Sequence, residues 1–441
     1  MTILGIVVGI LLLSLIMILH ELGHYLVGKR LGFKIEQFSL FMGPVLFERV
    51  RNGVRFNIKA FPIGASVSFA GMDEAIEGQT TTETSRTDPG LFYNRPRWMR
   101  ALVIAAGPVV NFLSAILVFA IMFMAMGVAV PTQGEIDPAS HAAMAGIEPG
   151  DTLYSIDGKR IRTQFDLSMV DLMRDDKAPV TVEYIDRTDN LKKSAVFTPE
   201  IIDTRYMLGI SYVEEGGRFM LTNVDPRSND GNPVLRPGDQ IVAIDGVPFS
   251  RDESISDLLN QSGGKTLAVD IVRDGKEEQV EMATVQMDVY RPLGVSMTLS
   301  RSFGDAIMQG LHTPWSIVKS SVGALSMMFS GQLSARDNLT GPIGIVNMVG
   351  DVVKNESVDI GVRLGQLAML FGLISVAVGF TNLLPIPPLD GNHLVILGVE
   401  GVLRKNLPER LKTAISYIGF ALIIGLAVFV IYLDVSRLIG R

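Results

Sequence analysis

The chain of 441 residues contains no cysteine, and only 19% of its residues are charged. The absence of thiols excludes disulfides, iron–sulfur clusters and a cysteine nucleophile, so any bound metal must be held by His, Asp or Glu. Soluble domains carry about 25% charged residues, whereas here 48% of the residues are hydrophobic and the mean hydropathy is +0.33. A net charge of −7 provides no basic surface for nucleic acid.

Apolar residues are concentrated in four runs that contain no charged side chain. The runs are Met1–Leu19, Ala101–Val130, Leu364–Leu389 and Thr413–Leu433. Because about 20 apolar residues in a helix cross the hydrocarbon core of a bilayer, the sequence predicts a polytopic α-helical membrane protein with four transmembrane helices. The first run has no basic segment before it and no small-residue cleavage site after it, which favours a retained helix over a signal peptide.

Basic residues are concentrated in the two segments that connect the first span to the second and the third to the fourth. The positive-inside rule then places both loops in the cytoplasm and both termini outside. The predicted organisation is a first span at 1–28, a loop at 29–99, a second span at 100–130, a third at 364–390, a loop at 391–412 and a fourth span at 413–434.

An internal repeat occupies the long extracytoplasmic segment. Residues 147–158 and 235–246 share a Pro-Gly-Asp turn, an alternating apolar run and an Asp-Gly pair, with Pro149 and Pro237 lying 88 residues apart. This order predicts a turn, a strand and a hairpin in each copy. Each copy is predicted to end where a further strand begins, at Leu208-Gly209-Ile210 in the first copy and Leu293-Gly294-Val295 in the second.

The two copies resemble PDZ domains in their circularly permuted bacterial form, with predicted bounds of 132–212 and 213–300. PDZ domains bind peptides by adding a strand to a sheet edge, so the resemblance implies that the two Leu-Gly-containing segments bind peptide. The alternative interpretation is that the copies are spacers that keep bulky proteins away from the membrane.

The segment 301–363 contains apolar residues at steps of three and four, which predict an amphipathic helix on the membrane surface or on the repeats. These residues are Ile307, Leu311, Trp315, Val318, Val322 and Leu325.

An HExxH motif, His20-Glu21-Leu22-Gly23-His24, stands at the end of the first apolar run. On a helix, positions i and i+4 share one face, so both imidazoles can bind one Zn²⁺. Glu21 beside them can take a proton from the activated water and pass it to a leaving amine. The alternative is a histidine pair satisfied by polar neighbours, but ionisable groups inside a membrane segment are costly and usually functional.

Zinc needs a third protein ligand, and Asp390 is the favoured candidate. Pro385, Pro387 and Pro388 prevent a regular helix just before it, and a broken backbone at membrane depth is tolerated where it lines a cavity. An Asp that only caps the next turn is the alternative reading. His393 lies on the same side and stays open as a ligand, whereas His141 and His312 are predicted outside. One Zn²⁺ per chain is therefore expected.

These motifs resemble the site-2 protease family of intramembrane zinc proteases (peptidase family M50), in its bacterial regulator-of-sigma-E type. The likeness rests on HELGH, on Asn382–Gly391 and on the PDZ pair between them. Residues 106–111 resemble the family's AGPxxN segment, and residues 339–343 resemble its stretch before the third span. The resemblance implies three zinc ligands, His20, His24 and Asp390, with Glu21 as the catalytic acid and base, and Asn382 holding the unwound substrate.

Pro62–Ser68 resembles the family's membrane-associated β-hairpin, which implies that Gly64, Ala65, Ser66 and Val67 pair with an extended substrate. One departure is Asn392, where many members have a second glycine. Because Asn tolerates a left-handed backbone better than most residues, we expect this change to tune the loop without loss of the zinc ligand.

The expected function is that of an intramembrane zinc endopeptidase acting in regulated intramembrane proteolysis. The resemblance implies a bacterial inner-membrane protein with periplasmic PDZ domains that filter or sense pre-trimmed substrates. It also implies single-pass substrates such as an anti-sigma factor, possible cleavage of remnant signal peptides, and an upstream site-1 protease. A non-catalytic membrane receptor that binds peptides through its PDZ pair is the alternative, which the retention of Glu21 disfavours. A metal transporter is disfavoured because the sequence shows only one cluster of candidate metal ligands in the membrane segments.

Overall fold

The computed structural model describes residues 3–72, 88–175, 177–215, 218–225, 228–250, 253–334, 338–355 and 357–439. Residues 73–87 of the predicted first loop lie outside this set. The chain divides into two compact units, which we call the helical unit and the strand unit. The helical unit comprises Met1–Pro131, Arg160–Leu172 and Met297–Val435; the strand unit comprises Thr132–Lys159, Met173–Ser296 and Ser436–Arg441.

Among the described residues, four helices are long and apolar enough to cross a membrane, and each overlaps one of the predicted runs. They span Ile3–Arg30, Arg97–Met126, Ile360–Asn382 and Arg410–Ser436. The helices in chain order are α1 (Ile3–Arg30), α2 (Arg97–Met126), α3 (His141–Met144), α4 (Gln164–Met173), α5 (Glu253–Ser262), α6 (Phe303–Phe329), α7 (Pro342–Lys354), α8 (Ile360–Asn382), α9 (Asp390–Leu403) and α10 (Glu409–Ile439).

Two of the predicted spans end earlier than the apolar runs that predicted them. Helix α2 stops at Met126 because Gly127 adopts a positive φ of 86°, and β3 (Val128–Val130) then pairs with β16 (Thr298–Ser300). Helix α8 stops at Asn382, before the three prolines, as the proline pattern predicts.

Helix α2 is the central helix of the helical unit, where it packs against α1, α6, α8 and α9. Ala115 and Phe119 on this helix are fully buried. The predicted amphipathic helix is α6, but five of its six stripe residues are exposed and only Val318 is buried. The opposite face, with Gly310 closely packed on Ala120, is the one that contacts α2. The apolar stripe is therefore left free to face lipid.

The region expected to form a hairpin is a small antiparallel sheet built from β1 (Ile35–Arg51) and β2 (Val54–Phe69). Both strands bend, so that residues 37–40 pair on one side with 55–58 and on the other with 65–68. The four paired segments therefore lie side by side across the sheet in the order 47–51, 54–58, 37–40 and 65–68. Residues 65–68, which contain three of the four predicted substrate-binding residues, thus form an edge of this sheet.

The strand unit contains two sheets that correspond to the two copies of the repeat, and a separate two-stranded ladder. The first sheet is β4 (Thr152–Ile156), β5 (Lys159–Arg160), β6 (Val180–Ile185) and β7 (Lys192–Phe197) in the order β5-β4-β6-β7. The ladder pairs β8 (Ile201–Met207) with β15 (Val285–Tyr290). The second sheet is β9 (Ile210–Glu215), β10 (Arg218–Val224), β11 (Gln240–Ile244), β12 (Val247–Pro248), β13 (Thr266–Arg273) and β14 (Lys276–Ala283), ordered β14-β13-β11-β10-β9 with β12 on β11.

The repeat seen in the sequence is reproduced in detail by the geometry of the two copies. The carboxylates of Asp151 and Asp239 accept the backbone N–H three residues earlier, at 2.9 and 2.8 Å. Those of Asp157 and Asp245 accept a strand N–H at 2.8 and 2.7 Å, and both residues have φ near +47°. The two copies therefore share one turn and one hairpin structure.

The boundary between the copies differs from the predicted one, because the second copy is inserted within the first. Leu208-Gly209-Ile210 leads into β9, which pairs with β10 in the sheet of the second copy, so the predicted boundary at 212–213 cuts β9. Leu293-Gly294-Val295 returns to the first copy, where the Leu293 carbonyl accepts the Ala142 N–H at 3.0 Å. The β8–β15 ladder connects the two copies. Strand β8 leads the chain out of the first copy into the second, and β15 leads it back.

Candidate metal centre

His20 and His24 lie one turn apart on α1 and turn their rings to one point. Their Nε2 atoms are 3.2 Å apart, and both residues are more than 90% buried. The remaining ring nitrogens face α2, where Nδ1 of His24 is 2.8 Å from the carbonyl oxygen of Val103. The helical spacing of the motif therefore produces the shared face that the sequence predicted.

Asp390 reaches the same point from the other end of the chain. Its Oδ2 atom lies 3.1 Å from Nε2 of His20 and 3.5 Å from Nε2 of His24. The prolines that end α8 place Asp390 at the first turn of α9. Gly391 allows this turn, because a Cβ atom there would lie 2.2 Å from the Leu383 carbonyl oxygen.

The three donor atoms fit a tetrahedral zinc ion. Ligand atoms about 2.0–2.1 Å from one zinc at tetrahedral angles are about 3.3 Å from each other, and the observed separations are 3.1, 3.2 and 3.5 Å. The Oδ2 atom of Asp390 is buried without a hydrogen-bond partner among the described residues. Two imidazoles and one carboxylate are a donor set that zinc prefers, with the fourth position left to water or substrate.

Glu21 lies beside these donors, and the small sheet holds its carboxylate. One ligand atom each from His20, Glu21 and His24 lies within 4.8 Å of the others. The backbone N–H of Val67, on the edge segment of β2, donates to Oε2 of Glu21 at 3.0 Å. The residue predicted to be the acid and base is thus in contact with the strand predicted to receive substrate.

These groups line a cavity of about 260 Å³, and Asn382 and Pro388 also line it. The Asn382 side chain donates to the carbonyl of Val378 at 3.0 Å. The alternative ligand His393 lines a neighbouring cavity with Glu400 and Lys412 instead. Asn392 lies in the first turn of α9 with a helical backbone, so the left-handed conformation considered for it is not used.

The other predicted sites lie elsewhere. Leu208, Gly209 and Ile210 border a cavity of about 610 Å³ between β9 and α5 in the strand unit. His141 stacks on Phe197, and His312 is on α6. Sequence reasoning assigned no role to Asn111, although its amide lies 3.3 Å from Nδ1 of His20. The AGPxxN segment was the signal available for it.

The chain is similar to known proteins over almost its whole length. The model of peptidase family M50 matches residues 8–426. The regulator of sigma-E protease RseP of Salmonella typhimurium strain 14028s is 31% identical over 457 residues, covering 97% of this chain and 98% of its own length, and its Escherichia coli K12 namesake gives the same values. A Rhizobium meliloti strain 1021 protein whose name describes a zinc metalloprotease is 30% identical over 440 residues, covering 97% and 96%.

We expect Asp390→Ala to remove zinc from the purified chain, because two imidazoles alone leave the ion without its third protein ligand. His393→Ala is the matched control and should keep about one zinc per chain. Elemental analysis of both variants checks this. Zinc loss in the His393 variant, with zinc retained by the Asp390 variant, would reverse the ligand assignment.

Proposed function

The chain belongs to peptidase family M50 and is a zinc metalloprotease, and from that premise we propose that it cuts the membrane segment of single-pass proteins. The observation that carries the proposal is the convergence of His20, His24 and Asp390 beside Glu21, within a unit made of membrane-length helices. By likeness to the proteins named regulator of sigma-E protease, the substrates include an anti-sigma factor trimmed first by another protease.

The proposed roles follow from the chemistry of peptide hydrolysis. His20, His24 and Asp390 would hold zinc, which would supply a Lewis acid for activating the water and polarising the carbonyl of the bond to be cut. Glu21 takes a proton from the attacking water as the new C–O bond forms, and gives it to the leaving nitrogen as the C–N bond breaks. Its hydrogen bond from Val67 holds the carboxylate in place for both transfers.

A substrate helix must unwind before its backbone can be cut, and the edge of the small sheet supports a way to hold the unwound chain. Residues 65–68 pair with β1 on one side only among the described residues, so an extended segment can add to the other edge. Because the Val67 N–H on that edge points to Glu21, such a segment would lie beside the catalytic carboxylate. Asn382, in the same cavity, is proposed to hold its backbone.

The second copy of the repeat is proposed to bind the carboxylate end of a trimmed substrate. Among the described residues, strand β9 is one of the two edge strands of its sheet, and Leu208-Gly209-Ile210 borders the cavity between this strand and α5. Peptide capture by strand addition uses such an edge with an adjoining apolar pocket. Tyr212, Phe249 and Leu259 supply the apolar lining here.

Replacing Glu21 by Gln tests the catalytic proposal. The amide cannot accept the proton, so cleavage of a transmembrane reporter should fall about 10²- to 10⁴-fold, while zinc content stays at the wild-type level. The exposed Glu48→Gln, on β1, is the matched control and should cleave normally. Unchanged cleavage by the Glu21 variant would contradict its role as the catalytic acid and base.

The carboxylate proposal predicts that peptides with an apolar, free C-terminus bind the full chain, and that their C-terminal amides bind at least tenfold more weakly, a loss of about 1.4 kcal/mol. Fluorescence anisotropy in detergent measures both. Gly209→Val should also weaken binding, because Gly209 has a φ of +68°, which a β-branched residue adopts only with strain. Equal binding of acid and amide would contradict carboxylate recognition.

The second copy is also proposed to act as a filter that keeps full-length substrates from being cut before they are trimmed, and removing this copy tests that role. Met207 and Val285 are paired across the β8–β15 ladder, so residues 208–284 can be replaced by an Asn-Gly turn that joins neighbouring strand ends. We expect this chain to cut full-length and trimmed substrates at similar rates and to keep its zinc. If it still discriminated as wild type does, in paired cleavage assays, filtering by this copy would be wrong.

A further inference from the structure

The AGPxxN segment of α2 lies directly against the histidine pair. Val103, Gly107 and Asn111 are spaced four residues apart, so they share one face of α2. The carbonyl of Val103 is 2.8 Å from Nδ1 of His24, and the amide of Asn111 is 3.3 Å from Nδ1 of His20. Each histidine of the HExxH motif therefore faces one polar group of α2.

Gly107, between these two groups, leaves the space that the rings occupy. A Cβ atom at this position would lie 2.3 Å from Nε2 of His24 and 2.8 Å from Cε1 of His20. Both distances are far below van der Waals contact, and both imidazoles are fixed on α1. A side chain at position 107 would therefore displace the donor atoms themselves.

Asn111 is fully buried, and its position is fixed independently of the histidine. Its backbone carbonyl accepts hydrogen bonds from the hydroxyls of Ser114 and Ser375, both at 2.9 Å. The side-chain Oδ1 atom has no partner among the described residues when the NH₂ group faces His20. A rotation of 180° about the Cβ–Cγ bond places Oδ1 against the ring instead, where it can accept.

The chemistry of the ligand selects between these two orientations. A histidine that binds a metal through Nε2 carries its proton on Nδ1, so the group that faces Nδ1 must be an acceptor. The Val103 carbonyl is an acceptor only, and Asn111 becomes one with Oδ1 toward the ring. An amide also accepts without adding a further negative charge at membrane depth, where charge is costly.

We propose that this face of α2 is the support of the metal centre, with Asn111 as a positioning residue. Asn111 holds His20, and the Val103 carbonyl holds His24, in the tautomer that turns Nε2 to the zinc, and Gly107 provides the room for both rings. This role rests on the proposed ligand set, because it is defined by which nitrogen of each histidine binds the metal.

The test measures the zinc dissociation constant of the full chain in detergent, by competition with a chelator. Asn111→Leu keeps the size of the side chain and removes the acceptor, so we expect affinity about 10- to 100-fold weaker. Asn111→Asp restores an acceptor and should recover affinity to within about threefold of wild type, since a carboxylate is a common partner of zinc-bound histidine. Leu113→Ala, at an exposed position of α2, is the matched control and should bind zinc normally.

Gly107→Ala provides a second route to the same result that leaves Asn111 intact. It should also weaken zinc binding, because the added Cβ atom displaces the imidazoles that carry the donor atoms. The unfolding temperature of the metal-free Asn111→Leu chain should stay near that of wild type. A merely structural role for Asn111 would lower that temperature, and Asn111→Asp would not restore zinc affinity.

Wild-type zinc affinity in both Asn111→Leu and Gly107→Ala would overturn the proposal. His20→Ala separates this failure from failure of the ligand set. If His20→Ala lost zinc while the two α2 variants kept it, only the support role would be wrong. If His20→Ala kept its zinc, the proposed ligands themselves would be wrong.

Discussion

The structure depends on one approach between two distant stretches of chain, that of the Asp390 carboxylate to the imidazoles of His20 and His24. Oδ2 of Asp390 lies 3.1 and 3.5 Å from imidazoles that precede it by 370 and 366 residues in the chain, and the two imidazole nitrogens are 3.2 Å apart. Without a cation, this cluster would bury a carboxylate oxygen that has no hydrogen-bond partner among the described residues. A divalent metal removes that cost by supplying the missing positive charge.

The surrounding elements are arranged around this requirement. The prolines after Asn382 end a membrane-length helix where a carboxylate is needed, and Gly391 lets α9 begin against the carbonyl of Leu383. Helix α2 presents a carbonyl and an amide to the rings. The edge of the small sheet gives Glu21 a hydrogen bond. The candidate zinc ligands, Glu21 and the strand edge at Val67 thus border one cavity.

Much of this was accessible from the sequence because the informative patterns are local. The spacing of His20 and His24 fixes their shared face on any helix, and apolar runs without charge predict membrane helices. The internal repeat predicted paired turns, which Asp151 and Asp239 form in the same way. The prolines also predicted where α8 stops.

The features that sequence reasoning missed depend on contacts between distant residues. The apolar character of Val128–Val130 suits a strand as well as a helix, and only pairing with Thr298–Ser300 decides for the strand. The assignment of Leu208–Ile210 to the first copy failed because the β8–β15 ladder inserts one copy into the other. Asn111 gained a role only when α2 was seen to face α1.

The central claim is that one zinc is bound by two imidazoles and one carboxylate from opposite ends of the chain. X-ray absorption spectroscopy of the zinc-loaded protein tests this most directly. The account predicts a shell of nitrogen and oxygen at about 2.0–2.1 Å, with outer scattering from two imidazoles, and loss of this zinc spectrum in His20→Ala. Scattering from three imidazoles, or a spectrum unchanged by that substitution, would contradict it.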